Sequence, residues 1–139
     1  MPDCIFCKIV AGQIPSARVY EDATKLAFMD IGPIQPGHVL LIPKAHFERL
    51  TELPDDVAAD LARALPKLAR AVVAAARADG FNLMQTNGAC AGQSVGHVHF
   101  HIIPRRNDDG YHFHWRPTPY KPGELREWQQ KIAAEVGKG

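Results

Sequence analysis

Three histidines alternate with bulky apolar residues in His97-Val98-His99-Phe100-His101-Ile102-Ile103-Pro104. Such alternation is the period-two signature of a β-strand with one buried and one functional face. As a strand over 97–104, ended by its proline, it points Val98, Phe100 and Ile102 into a core. His97, His99 and His101 then project from the opposite face, successive Cα positions roughly 6.6 Å apart and the outer pair roughly 13 Å apart. Imidazole is a common metal ligand with bonds of about 2.0–2.1 Å, so two neighbours can share one ion but three in file cannot readily do so. At least one histidine is left for other work. His99, in the middle, is flanked on both sides and follows a donor-rich loop, the setting of a nucleophile or a proton shuttle.

That loop supports a phosphate-bearing substrate. Asn87-Gly88 and Gly92-Gln93-Ser94-Val95-Gly96 offer small residues for close backbone approach, amides and a hydroxyl. Backbone N–H groups in such turns can form an anion nest, although an ordinary turn explains glycines as well. A Walker-type nucleoside triphosphatase is disfavoured, because no Gly-x-x-x-x-Gly-Lys-Ser/Thr run occurs. At the N-terminus, Cys4-x-x-Cys7 suits either thiol or metal chemistry. The redox reading needs a βαβ setting that the chain does not offer, and a zinc reading needs two further ligands. Cys90 reads as a lone loop thiol, and an odd total of three cysteines argues against a disulfide framework.

These residues need elements to hold them. Residues 4–12 suit a short helical turn closed by Gly12. Arg18-Val19-Tyr20-Glu21 and Lys25-Leu26-Ala27-Phe28-Met29 read as two strands of a hairpin around Asp22-Ala23-Thr24. A loop with two prolines and two glycines over 31–37 precedes His38-Val39-Leu40-Leu41-Ile42-Pro43, an apolar central strand stopped by its proline. From Pro54 to Asp79 the period changes. Val57, Leu61, Leu65, Leu68, Val72 and Ala76 define one helical face, with Asp55 and Asp56 in the first turn and Gly80 as the stop. Pro66 removes a hydrogen bond and crowds the Ala62 carbonyl, which predicts a kink or a split. Residues 81–86 form another strand. Leu125, Trp128 and Ile132 predict a closing helix from about Glu124 to Val136. Several strands, one long helix and two further strands make an α+β arrangement with an antiparallel sheet.

Composition sets the bounds. A chain of 139 residues suits a single domain over 1–139 with a sizeable core, and 46% hydrophobic with 22% charged residues is ordinary for a globular protein. A formal net charge of +1 lacks the basic footprint of a polymer nucleic-acid binder. No apolar run approaches the roughly 18 residues of a membrane span, and no signal-peptide h-region opens the chain, so no membrane partner and a cytoplasmic location are expected.

Taken together, several segments resemble the histidine-triad (HIT) superfamily of nucleotide hydrolases and transferases. They are His97-x-His99-x-His101, Phe28-Met29-Asp30-Ile31-Gly32-Pro33, Pro36-Gly37-His38 through Pro43-Lys44-x-His46, and Gly92-Gln93-Ser94-Val95, the last similar to the Hint branch. The resemblance implies a HIT-like fold with about five antiparallel strands per subunit and a homodimer whose two sheets join. It implies that His99 attacks the α-phosphorus of a purine nucleotide derivative, giving a nucleotidyl-histidine that water hydrolyses. His101 would bind phosphoryl oxygens together with Gln93, Ser94 and Asn87, Ser94 would assist the leaving group, and His38 would support the reacting histidine. Asp30 would hold the ribose, with Ile31 and Phe28 near the base. Members that open with Cys-x-x-Cys imply one structural zinc per chain on Cys4, Cys7, His46 and His97, with His46 otherwise a surface histidine. His114-Trp115-x-Pro117, at the end of a second histidine–aromatic patch, resembles the Hint tail that reaches the neighbouring subunit, at a longer offset from the triad. Gly96 departs from the bulky residue that many relatives carry there. Arg105 and Arg106 either steer anionic substrates or are solvated charges. A nucleotide-binding or signalling protein with incidental turnover is the competing class, and the intact His99 and Ser94 favour the enzyme. The transferase branch with His-x-His-x-Gln is disfavoured by His101.

Overall fold

A computed structural model describes residues 3–139. In chain order the elements are α1 (Ile5–Val10), β1 (Arg18–Glu21), β2 (Lys25–Met29), β3 (Val39–Pro43), α2 (Asp55–Ala76), β4 (Gly80–Gln85), β5 (Phe100–Arg105) and α3 (Glu124–Val136). Short 3₁₀ turns occupy Leu50–Glu52 and Ala89–Ala91. The five strands form one antiparallel sheet in the order β1-β2-β3-β5-β4. The expected α+β class with a five-stranded antiparallel sheet is what the chain adopts. Among the described residues no helix is long and apolar enough to cross a membrane.

The hairpin turn follows from Asp22, whose Oδ1 accepts the backbone N–H groups of Thr24 at 2.9 Å and Lys25 at 3.0 Å. Lys25 is buried, and its ammonium is paired with Asp22 at 2.7 Å and with Asp60 on α2 at 3.0 Å. This ion pair ties the hairpin to α2.

Helices cover both faces of β2 and β3. Leu61, Ala64, Leu68, Ala69 and Val72 of α2 pack against Ala27, Val39, Leu41 and Ile102. On the other face Phe6 and Ile9 of α1 pack with Leu26, Phe28, Leu40 and Ile42. Adjacent residues of one strand thus serve two cores, which is why residues 39–42 are apolar throughout rather than alternating.

Four expectations need correction. The ladder of β5 begins at Phe100 and runs to Arg105, with Pro104 paired to Phe81, so His97 and His99 precede the strand and Pro104 does not end it. Val98 N–H turns instead to Phe47 O at 2.7 Å, which draws residues 97–99 toward the segment after β3. Of the kink or split expected at Pro66, the split does not occur, because that residue sits on the exposed face of α2, where solvent can satisfy the Ala62 carbonyl. The helix stops at Arg77, in the left-handed conformation (φ 49°, ψ 47°), while Gly80 already opens β4. Finally, α3 spans the expected residues but closes nothing: Leu125, Trp128, Ile132 and Val136 are all exposed.

Candidate active site and metal centre

The segment 97–101 lies on the α1 face of the sheet. Phe6 stands edge-on to the rings of His97 (centroids 5.8 Å apart) and His99 (5.2 Å), and also to Phe28 (5.4 Å). His97, His99 and His38 are buried, so the histidine face is not an open surface.

Hydrogen bonds to backbone groups settle which ring nitrogens carry protons, since a carbonyl only accepts and an amide only donates. His99 Nδ1 lies 2.7 Å from the His97 carbonyl oxygen, so Nδ1 is protonated and donates. Its Nε2 therefore holds a free lone pair. His97 Nε2 lies 2.9 Å from the Pro43 carbonyl oxygen and donates to it, which leaves the lone pair on Nδ1. His38 Nδ1 accepts the Ile34 N–H at 3.1 Å, so its Nε2 carries the proton and donates to His101 Nδ1 at 2.9 Å. His101 then presents Nε2–H as a donor. Burial, reinforced by the neighbouring His99 and His38 rings, pushes the His101 imidazole down to about 4, so it is neutral near pH 7. Burial also lowers His38, against the pull of Asp30. Asp30 lies 3.5 Å from His38 Nε2, and its other oxygen accepts Gly32 N–H at 2.8 Å.

The other end of the segment carries the sulfurs. Cys4 caps α1 by accepting Cys7 N–H at 3.4 Å, which turns both side chains to one side. Cys4 Sγ is 3.4 Å and Cys7 Sγ 3.7 Å from His97 Nδ1, and Cys7 Sγ is 3.3 Å from His46 Nδ1. All four ligand atoms lie within 4.8 Å of one another. Zinc bonds of about 2.0–2.3 Å place the corners of a tetrahedron about 3.3–3.8 Å apart, so the donor set fits that ion in kind and in spacing. Burial, then the neighbouring Cys4, push the Cys7 thiol upward, a direction a cation between the sulfurs would reverse.

The loop residues divide. Asn87 Oδ1 accepts Leu50 N–H at 2.8 Å, and its amide nitrogen donates to Gln85 Oε1 at 2.5 Å. Gln93 accepts Gly88 N–H at 2.7 Å and donates to the carbonyls of Glu48 (2.7 Å) and Val95 (3.0 Å). Both side chains thus brace the loop in this structure. Ser94 is exposed and lines a cavity of about 360 Å³ with Asp3, Cys4, Ile5, His46, Val95 and Gly96. Phe28 is a core residue, whereas Ile31 is fully exposed. A larger cavity of about 640 Å³ lies across the sheet, between α2, Pro36, Gly37 and Pro104, and has no histidine in its lining. Phe6 and the carbonyl of Pro43 are parts of the site that the sequence reading missed. The position of Phe6 inside the Cys-x-x-Cys turn was the available signal for one of them.

The sequence model of the HIT domain matches residues 11–108. The chain belongs to the HIT family. A HIT relative, the adenosine 5′-monophosphoramidase hnt1 of Schizosaccharomyces pombe, is 40% identical over 134 residues, covering 96% of this chain and 98% of that protein. The crystal structure of a HIT family member from Bacillus subtilis superposes with a TM-score of 0.90 at 47% identity, over 95% of this chain and 96% of that one. A zinc-bound histidine triad protein from Mycobacterium smegmatis gives a TM-score of 0.75 at 36% identity, over 99% of both chains.

Proposed function

We propose that this HIT protein is a nucleotide hydrolase that cleaves at the α-phosphate of an adenosine phosphoramidate or a dinucleoside polyphosphate and releases AMP. The observation that carries this reading is the single free lone pair at the centre of the site, on His99 Nε2, set by the Nδ1–H bond to the His97 carbonyl. The adenosine 5′-monophosphoramidase activity in the Schizosaccharomyces relative's name supports the substrate class.

His99 Nε2 attacks the α-phosphorus, and the bond from phosphorus to the leaving nitrogen or oxygen breaks. The leaving group takes the Ser94 hydroxyl proton as it departs, and a proton of the water that later attacks the intermediate restores that hydroxyl. His101 Nε2–H donates to a phosphoryl oxygen as charge grows there, with His38 holding His101 in the tautomer that can donate. Water then attacks the nucleotidyl-histidine, the phosphorus–nitrogen bond breaks, and His99 returns to its starting state. Asp30 takes the ribose hydroxyls, with the exposed Ile31 beside the base and the core residue Phe28 behind it. Asn87 and Gln93 act by bracing the loop that carries Ser94.

Cys4, Cys7, His46 and His97 hold one zinc per chain, which when bound pins α1 to the histidine segment. The zinc-bound relative supports this assignment. The protein works as a cytoplasmic homodimer whose sheets join, a reading supported by the exposed Phe81 and Leu83 on the edge strand β4. The tail with His112, His114 and the exposed Trp115 then meets the second subunit.

The test is AMP release from adenosine 5′-phosphoramidate and diadenosine tetraphosphate. His99→Ala is expected to lose about a thousandfold or more in kcat. Equal release by wild type and variant would refute the nucleophile.

A further inference from the structure

His97 belongs to both halves of the site. Its imidazole is held on two sides, by the Pro43 carbonyl at Nε2 (2.9 Å) and by the sulfurs of Cys4 and Cys7 at Nδ1 (3.4 and 3.7 Å). Its backbone carbonyl is the acceptor that decides the tautomer of His99, at 2.7 Å. The ring is fully buried and stacked edge-on against His46, at 5.0 Å between centroids. Phe6, between the two cysteines, touches the rings of both His97 and His99. Residues 97–99 gain no ladder hydrogen bonds from the sheet, so these tethers, with the Val98 N–H bond to Phe47 O at 2.7 Å, set the position of the His97 carbonyl. An ion held among Cys4, Cys7, His46 and His97 would add one more tether, and one that can be removed without changing a covalent bond.

We propose that His97 is a positioning residue that couples this centre to the nucleophile: metal bound at its imidazole holds its carbonyl where it keeps His99 in the Nδ1–H form. The proposal rests on the zinc assignment above and extends it, because a purely structural ion would leave His99 unchanged in folded, metal-free protein. The physical reason is simple. An imidazole with no fixed acceptor samples both neutral tautomers, and the Nε2–H form has no lone pair with which to attack phosphorus. Loosening α1 also withdraws the Phe6 edge that confines the His99 ring.

The experiment uses the full-length protein, ¹⁵N-labelled at histidine, loaded with zinc and then stripped with a chelator. Zinc per chain is read by elemental analysis, fold by circular dichroism, and the His99 tautomer from its ring ¹⁵N shifts. In the zinc form His99 is expected to show one tautomer. In folded, stripped protein it is expected to show a mixture, with kcat for adenosine 5′-phosphoramidate lower by about tenfold and KM within about twofold, both restored by zinc. Zinc-replete and stripped proteins with the same His99 shifts and the same kcat would overturn the coupling while leaving the metal assignment standing. A chain that takes up no zinc would overturn both. If stripping unfolds the protein, cadmium in place of zinc keeps the centre filled with longer bonds. Unchanged His99 shifts and kcat in that form would equally overturn the proposal.

Discussion

Two clusters of side chains of metal-ligating type flank His99, the proposed nucleophile, and in both the candidate ligand atoms lie within 4.8 Å of one another. By residue type alone Asp30, His38 and His101 look as able to hold a cation as Cys4, Cys7, His46 and His97. What separates them is the second partner of each ring. His97 spends its proton on the Pro43 carbonyl and turns a lone pair toward two sulfurs. His38 receives a backbone N–H from Ile34 and is left with a proton at the nitrogen that faces His101. A cation there would have to displace that proton and break the Ile34 contact. On the proposed reading one cluster would hold a metal, and the other would pass the direction of a hydrogen bond to a phosphoryl oxygen. Ligand lists are therefore not metal sites until the outer hydrogen bonds are counted.

The sharpest way to break this division is to exchange the clusters' phenotypes. His99→Ala, between them, should abolish AMP release by about a thousandfold or more while leaving about one zinc per chain. Loss of zinc in that variant would mean that the two clusters are not separable. Cys4→Ser or Cys7→Ser should do the reverse in kind, lowering zinc per chain to a small fraction of one and the thermal midpoint by several degrees. Elemental analysis and a melting curve read this directly, and full zinc occupancy in both variants would refute the donor set. His101→Gln should keep the zinc but lower kcat about 10- to 100-fold, because it replaces the oriented Nε2–H donor at the phosphoryl oxygen. A change confined to KM would instead assign His101 to ground-state binding.

Local pattern made some of this arrangement legible. Arg18–Glu21, Lys25–Met29 and Glu124–Val136 were visible because side-chain period and turn residues act over a few positions. The same local logic misplaced the end of α2, where Arg77 adopts the left-handed turn that glycine was expected to supply three residues later. It also drew His97 and His99 into the strand, since alternation continues through residues whose backbone pairs elsewhere. Asn87 and Gln93 illustrate a different limit of local pattern. Asn87 Oδ1 accepts Leu50 N–H, 37 residues away, and the Gln93 amide donates to the Glu48 carbonyl, 45 residues away, and no local pattern carries such contacts. The four metal-centre residues came from family resemblance, because Cys4 and His97 are 93 positions apart. The tautomers were out of reach entirely, as they depend on the carbonyls of Pro43 and His97 and the N–H of Ile34.

The smallest expected effect is the one that reports directly on the buried, proton-directing cluster. His101 has its folded pKa lowered to about 4 by burial and by its histidine neighbours, against an ordinary value near 6.5. In the window between those values the unfolded chain binds a proton that the folded chain refuses. Stability from this group is therefore intact above about pH 6.5 and is lost as pH falls toward 4. Because the ring is only partly enclosed, solvent screening reduces the effect at pH 5 to about 1 kcal/mol. Other groups also titrate on the way down, so the measurement is a difference. Urea midpoints of wild type and His101→Gln are compared at pH 7 and pH 5, and any metal held by Cys4, Cys7, His46 and His97 is common to both proteins, so its acid release cancels. The variant should lose less stability than wild type over that interval. If the two fall in parallel, His101 is not held neutral by its surroundings, and the contrast between the clusters reduces to the identity of their ligands.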